Sequence, residues 1–264
     1  MNHKPAKSIK WIIFLIVLNF HSAHLIGQHN QRKLIHVFVA LCDNDSQGIV
    51  PFPESIGDGT KPNTDLYWGA MYGMRNFFHK KTTNWILLED LETKNPMILD
   101  RILFKHKTLD VYLLADAYNG RNIKECTENF LLSSNGQNPE TIFQKEQQLH
   151  FGGGADHIAY IGHNGLMDFD VNLNYNPTKD KKEVMILGCY SKSYFKSHIQ
   201  KANANPVLWT TYLMAPEAYV LHEALNGYVI NETGAQIDER AAQAYNTYQK
   251  CGIKGARGLF ATGF

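Results

Sequence analysis

One repeated pattern restricts the fold of this chain: a short apolar run ends in a polar loop, and a stretch with helical spacing follows. The runs cover residues 34–41, 110–118, 157–162, 183–188 and 206–212. Apolar runs of this length are typical of strands buried on both faces. Their alternation with helices predicts an α/β fold, a mostly parallel sheet with helices on both faces. We expect five of its strands side by side, ending at Leu41, Ala115, Gly162, Gly188 and Thr210.

The spacing of apolar residues predicts the remaining elements. Residues 66–78 have a helical pattern that Thr64 could cap, and residues 85–90 and 97–106 suggest a hairpin-like extension. Further helices are predicted over residues 123–136, 194–201, 213–228 and 237–252. We expect Pro216 in the first turn of the helix over residues 213–228 and Gly252 at the end of the helix over residues 237–252.

The first 27 residues have the composition of a secretory signal. Three lysines precede the apolar block 11–20, which is about half the ~20 residues of a membrane-spanning helix. We expect cleavage near Gly27–Gln28, which leaves residues 28–264 as a single secreted or periplasmic domain without a stable membrane span. The alternative is a short membrane anchor that retains residues 11–27.

Composition and motifs argue against several classes of partner. The formal net charge is +1, so no overall field favours nucleic acid. The sequence has no GxGxxG, GxxxxGK[ST] or GxSxG motif, and its cysteines and histidines do not cluster at the spacing of a zinc site. We therefore expect no cofactor, no metal and no nucleic acid.

Cysteine usage leaves several pairings open. Export would place Cys42, Cys126, Cys189 and Cys251 in an oxidising compartment, where four cysteines allow three full pairings. Cys42 ends the first predicted strand and could form a disulfide with Cys189. Cys126 lies on the apolar face of a predicted helix, as a small buried residue would.

Two predicted strands end next to side chains that can act as a base or a nucleophile. The run AYIG is followed by His163, and the run VMILG by Cys189, 26 positions later. Ligands of open α/β sheets bind beyond the carboxyl ends of the strands. If the strands are neighbours, the imidazole of His163 can assist formation of the Cys189 thiolate, which is the competent nucleophile. Backbone N–H groups at Cys189 and around Asn164–Gly165 could receive the oxyanion, next to Gly188.

The motifs AYIGHNG and VMILGCYS resemble those of the caspase-like (clan CD) cysteine peptidases, over roughly residues 34–212. The resemblance implies a caspase-like three-layer sandwich that acts on a peptide or protein substrate. It implies His163 as the general acid/base and Cys189 as the nucleophile. Relatives usually have glycine directly after the histidine, whereas Asn164 precedes Gly165 here.

Acidic residues near the same sheet edge have two readings. Asp43 or Asp168 could orient His163 or bind a basic substrate side chain. The alternative is that these carboxylates, like Asp45 and Asp170, cap turns and face solvent. For the whole chain, the alternative to a cysteine hydrolase is a secreted binding protein on the same scaffold. In that case Cys189 is a half-cystine or an inert thiol.

Overall fold

The strands are defined in a computed structural model that describes residues 32–176 and 179–264. The predicted signal peptide and its cleavage point lie outside these residues. The strands are β1 Lys33–Ala40, β2 Trp85–Asp90, β3 Ile98–His106, β4 Val111–Tyr118, β5 Glu140–Gln144, β6 Gln147–Phe151, β7 His157–Gly162, β8 Glu183–Leu187, β9 Asn205–Thr210 and β10 Phe260–Ala261.

Eight strands form one mostly parallel sheet in the order β10-β9-β8-β7-β1-β4-β3-β2. The five strands from β9 to β4 run parallel, which confirms the predicted set of neighbours. β2 and β3 form the expected hairpin on one edge, and β10 adds an antiparallel strand to the other. Strands β5 and β6 form a separate hairpin. The ends of β7 and β8 therefore meet at one edge of the sheet.

The helices match most of the predicted ones. They are α1 Met74–Asn76, α2 Ile123–Ser134, α3 Ser191–Lys201, α4 Ala218–Val229, α5 Gly234–Gln249 and α6 Ile253–Leu259. Pro216 lies before α4 rather than in its first turn. Lys250, in the left-handed conformation with a φ of 53°, ends α5 before Gly252. Among the described residues, no helix has both the length and the hydropathy to cross a membrane.

The helix predicted over residues 66–78 is wrong over most of its length. Only Met74–Asn76 is α-helical, followed by a π-helical turn, and turns precede it. The buried carboxylate of Asp65 accepts the N–H of Tyr67, which closes a local turn instead of a helix. Gly69 packs so closely on the carbonyl of Asn63 that a Cβ would lie 2.1 Å from its oxygen.

The hydrophobic core consists of two clusters, and alternate side chains of β1 belong to different clusters. Ile35 and Val37 pack in one cluster with residues of α4 and α5. Leu34 and Phe38 belong to the other, with residues of α2 and α3. Successive side chains of a strand point to opposite faces, so both faces of the central strands are buried. Lys33–Phe264 forms one compact unit.

The buried His157, the first residue of β7, should make the protein sensitive to acid. It is fully buried against Tyr228, and neither ring nitrogen has a hydrogen-bond partner among the described residues. Burial, helped by the charge of Lys33, lowers the pKa of His157 to about 3. In the unfolded chain a histidine titrates near a pKa of ~6.5. Acid therefore protonates the unfolded chain first, and stability falls as the pH drops from about 6.5 towards 3.

We expect His157→Leu to remove this acid sensitivity. Between pH 7.5 and pH 5, the loss in free energy of unfolding should shrink by roughly 2 kcal/mol, since each pKa unit corresponds to ~1.4 kcal/mol. Urea unfolding at the two pH values measures the difference. His79→Leu, at an exposed histidine, is the control and should leave the difference unchanged. An equal acid loss in His157→Leu and the parent protein would contradict the prediction.

Candidate active site

The loop after β7 carries His163 on a turn that requires glycine. Gly162 ends β7 with a φ of 140°, and a Cβ there would lie 2.7 Å from the carbonyl oxygen of Ala40 on neighbouring β1. His163 follows, with its side chain 5% exposed. The side chain of Asn164 then caps the 3₁₀ turn Gly165–Met167 by accepting a backbone N–H. The strand end and the turn thus fix the position of the imidazole.

Asp168 holds the imidazole in one orientation. Nε2 of His163 lies 2.8 Å from Oδ2 of Asp168 and donates its proton to it. The same oxygen accepts the N–H of Gly48, from the loop after β1, at 2.9 Å. A carboxylate on one ring nitrogen fixes the tautomer and leaves Nδ1 as the nitrogen that can accept a proton. Of the two acidic residues predicted for the site, Asp168 is therefore the one that contacts His163.

Cys189 lies in a tight turn between a strand and a helix. β8 ends at Leu187, and Tyr190 has a φ of 50° in the left-handed region immediately before α3 begins. Cys189 thus sits beside the N-terminus of α3, an 11-residue helix. The positive end of a helix dipole favours negative charge within its first turn. This position suits a sulfur that must carry a negative charge.

Hydrogen bonds fix the Cys189 turn from two sides. The hydroxyl of Ser191 donates to a carbonyl of β8 at 2.8 Å and accepts the N–H of Thr210 at 2.8 Å. The hydroxyl of Thr210 donates to the carbonyl of Gly188. From the histidine loop, Nδ2 of Asn164 donates to the carbonyl of Cys189 at 2.7 Å. Asn164 therefore links the two loops that carry the candidate catalytic pair.

The surroundings of Cys189 include backbone groups that can stabilise charge. Its Sγ lies 3.5 Å from both the nitrogen and the oxygen of Met214, so the Met214 N–H donates to the sulfur. Within the described part of the chain, the N–H of Cys189 itself donates no hydrogen bond. The backbone of Gly165, by contrast, hydrogen-bonds to the buried hydroxyl of Tyr160. The Cys189 N–H is therefore a predicted oxyanion donor that no described acceptor occupies.

His163 and Cys189 both line one small cleft of about 250 Å³. Three loops form its walls: Ile49 and Val50 come from the loop after β1, Met167 from the loop after β7, and Leu213 from the loop after β9. Tyr67 lines it as well but is 3% exposed. The cleft therefore brings the two predicted strand-end residues to one surface.

Asp43 has a different place. It is 1% exposed, and its carboxylate accepts the N–H and hydroxyl of Ser46 at 2.9 and 2.7 Å and the N–H of Gly59 at 3.1 Å. Nε of Arg121 lies 3.7 Å away. These contacts organise the loop after β1, and Asp43 does not line the cleft.

The cysteines are all free thiols, so the Cys42–Cys189 disulfide considered from the sequence is not formed in this structure. Burial, with the nearby Asp65 and Asp43 carboxylates, raises the pKa of Cys42 to about 12, although a hydrogen bond with Tyr67 acts against it. Cys126 is fully buried on α2, as expected. Cys251 is exposed to solvent, and Cys189 is partly exposed.

The chain was compared with protein-family models, curated proteins and solved structures. No family model, no curated protein and no solved structure matches the chain. Across residues 32–176 and 179–264, no group of three or more histidine, cysteine or acidic side chains is placed to hold a metal ion.

Two features of the site escaped the sequence pattern. The loop of residues 211–216 supplies the Met214 backbone contact to the sulfur, and it follows a predicted strand without any motif of its own. The hydroxyl pair Ser191–Thr210 sits 2.9 Å apart at the cysteine turn. Ser191 is the first residue of α3, and a serine at the start of a helix is common, so nothing in the sequence distinguished it.

Proposed function

We propose that this chain is a cysteine hydrolase of the peptidase type, with Cys189 as nucleophile and His163 as general acid/base. One observation carries the proposal: both side chains line one cleft at the carboxyl ends of adjacent parallel strands, and Asp168 binds Nε2 of the imidazole. Nucleophile, base and orienting group are the three parts that nucleophilic catalysis requires.

The reaction follows from these positions. Nδ1 of His163 takes the thiol proton, and the sulfur of Cys189 attacks the carbonyl carbon of an amide. The Cys189 N–H receives the oxyanion that develops. His163 then gives its proton to the leaving amine, and a thioester remains on Cys189. A water molecule, deprotonated by His163, attacks the thioester; the acid leaves, and the thiol is restored.

The same proposal covers the finer architecture and the location of the protein. We infer a caspase-like three-layer sandwich, supported by the two core clusters that place residues of α4 and α5 with Ile35, and residues of α2 and α3 with Leu34. We infer export to the periplasm or medium after removal of residues 1–27, from the basic and then apolar start of the chain. N-terminal sequencing of exported protein tests this, and a start at Met1 would refute it.

Alkylation by iodoacetamide tests the catalytic pair without knowledge of the substrate. In the reduced full chain at pH 6, Cys189 should react at least about tenfold faster than the exposed Cys251, because a neighbouring base and a helix N-terminus promote the thiolate. His163→Ala should remove this advantage and move the rate-versus-pH curve of Cys189 to higher pH. Mass spectrometry of the labelled peptides gives both rates in one sample.

Two controls separate chemistry from folding. Cys126→Ala should leave the rates unchanged, since that thiol is fully buried on α2 and does not line the cleft. Cys189→Ala should abolish peptide cleavage with an unchanged unfolding midpoint. Resistance of native Cys189 to alkylation, or a curve that His163→Ala does not move, would refute the pair. The alternative, a secreted binding protein, would then lead, supported by the exposed apolar side chains Val50 and Leu213 at the cleft.

A further inference from the structure

The cleft beside Cys189 is apolar. Ile49, Val50 and Phe52 line one side, and Leu213 and Met214 line the other. None of the described residues that line this cleft is an aspartate, glutamate, lysine or arginine. A charged group that entered would lose its hydration without gaining a partner, which disfavours acidic and basic side chains.

The two carboxylates considered for recognition of a basic side chain are already engaged. Oδ2 of Asp168 binds the imidazole of His163 and the N–H of Gly48. Asp43 is buried and accepts hydrogen bonds from Ser46. Neither residue lines the cleft. The site therefore lacks the free carboxylate that selection of lysine or arginine requires.

The rim of the cleft exposes apolar side chains to solvent. Val50 is 85% exposed, Leu213 57%, Phe52 37% and Met167 36%. A cluster of exposed apolar groups beside a reactive side chain marks a surface that a ligand covers. Met167 is unbranched and polarizable, so it can adapt to apolar groups of different shape.

The size of the cleft restricts the occupant to a single side chain with its flanking backbone. Its volume of about 250 Å³ is below the range of about 300–1,000 Å³ of pockets that enclose a whole drug-sized ligand. The side chain of the residue whose carbonyl is attacked branches from the atom next to the reacting carbon. It must therefore lie in the cavity whose wall includes both Cys189 and His163.

We propose that the substrate is a peptide with an apolar residue, of the size of leucine, methionine or phenylalanine, on the acyl side of the cleaved bond. This inference rests on the proposed function and deepens it. The sulfur of Cys189 forms a thioester with the carbonyl of that apolar residue. The amine on the other side leaves with the proton that His163 delivers. Water then releases the new carboxylate and restores the thiol.

A set of peptidyl acyloxymethyl ketones that differ only in the residue next to the reactive ketone tests the substrate class. The reduced full chain is treated with the leucine, phenylalanine, aspartate, lysine and asparagine probes, and the second-order rate of Cys189 labelling is measured by mass spectrometry. We expect the leucine and phenylalanine probes to react at least about tenfold faster than the aspartate and lysine probes, the size of effect that a hydrophobic pocket supplies.

A charge on the rim should reverse the preference. Val50→Asp changes a side chain that is 85% exposed, so the fold should tolerate it. It should slow the leucine probe and speed the lysine probe when each rate is divided by that of iodoacetamide, which has no side chain to place and therefore reports the effect of the new charge on the thiol itself. Phe143→Asp is the matched control: it adds the same charge at an apolar residue that is 67% exposed on β5 and does not line the cleft. It should change none of these rates.

The outcomes distinguish the two proposals. Equal rates for all probes, or a preference for a charged residue, together with iodoacetamide alkylation that depends on His163, would overturn the substrate class and leave the hydrolase proposal standing. Alkylation that does not depend on His163 would overturn the hydrolase proposal and the substrate class with it.

Discussion

Asp168→Asn should slow hydrolysis of a peptide with a leucine on the acyl side by about 10²–10⁴-fold. The carboxylate of Asp168 accepts the Nε2 proton of His163 at 2.8 Å and thereby keeps Nδ1 free to take the thiol proton. An asparagine amide can donate to Nε2 instead. The imidazole would then carry its proton on Nδ1 and could no longer act as the base towards Cys189.

The pH profile separates positioning from a structural effect. We propose Asp168 as a positioning residue, so Asp168→Asn should also move the alkylation curve of Cys189 to higher pH, as we expect for His163→Ala. When the amide turns its NH2 group towards Nε2, the N–H of Gly48 loses this acceptor, but Gly48 is exposed and its N–H can bind water, so the unfolding midpoint should change little. Asp170→Asn removes the same charge two residues away in the same loop and should keep full activity. Full activity in Asp168→Asn, or an equal loss in Asp170→Asn, would contradict the orienting role.

The five parallel strands of the sheet could be predicted because they are buried on both faces. Such strands read as continuous apolar runs, and the helices between them require parallel neighbours. The β5–β6 hairpin was missed because its residues alternate between half-buried and exposed, as in the stretch ETIFQ, and carry few apolar side chains. The short β10 has only two residues, too few for any periodicity.

The prediction of a helix over residues 66–78 was wrong because of a tertiary contact, which the local sequence pattern does not show. The apolar spacing is real, and Met74 and Phe78 are fully buried. However, the carboxylate of Asp65 binds the N–H of Cys42 at 2.7 Å, which ties this segment to the end of β1. The tertiary contact overrides the helical spacing.

The proposed catalytic pair was accessible to sequence reasoning, whereas the cleft was not. His163 and Cys189 each follow a strand and a glycine, and parallel neighbours bring such ends together. The apolar walls come from three loops that are far apart in the sequence, around Val50, Met167 and Leu213. Isolated apolar residues in loops carry no pattern, so only the fold shows that they meet. Choosing Asp168 over Asp43 likewise required the hydrogen bond to the imidazole.

A buried ion pair between β3 and β4 should be the feature whose disruption most destabilises the fold. Arg101 and Asp116 lie opposite each other in the register and are 3% and 1% exposed. The guanidinium binds the carboxylate through two contacts, at 2.6 and 2.7 Å, and His36 adds a third at 3.0 Å. Burial alone would raise the pKa of Asp116, but His36 and Arg101 outweigh it and hold that pKa below its usual value. The carboxylate is therefore charged and depends on these partners.

Arg101→Met should lower the free energy of unfolding at pH 7 by about 3–5 kcal/mol, because it leaves the Asp116 carboxylate buried without its main partner. The matched control is Arg257→Met. Arg257 binds Glu239 with the same two-contact geometry, at 2.8 and 2.7 Å, but its side chain is 57% exposed. An exposed pair contributes about 0–1 kcal/mol, so this control should lose little stability. Urea unfolding curves with equal slopes give both values.

The pH dependence identifies the stranded carboxylate as the cause. In the parent protein the lowered pKa of Asp116 contributes stability above the unfolded value of about 3.9, and this contribution is lost as the pH falls through the folded value. Without Arg101, burial favours the neutral acid, so protonation relieves the variant at a higher pH. The gap between Arg101→Met and the parent protein should therefore narrow from pH 7 to pH 4, and adding Asp116→Leu should restore part of the loss. A gap that stays constant with pH, or a cost equal to that of Arg257→Met, would show that a buried carboxylate without its partner is not the cause of the loss.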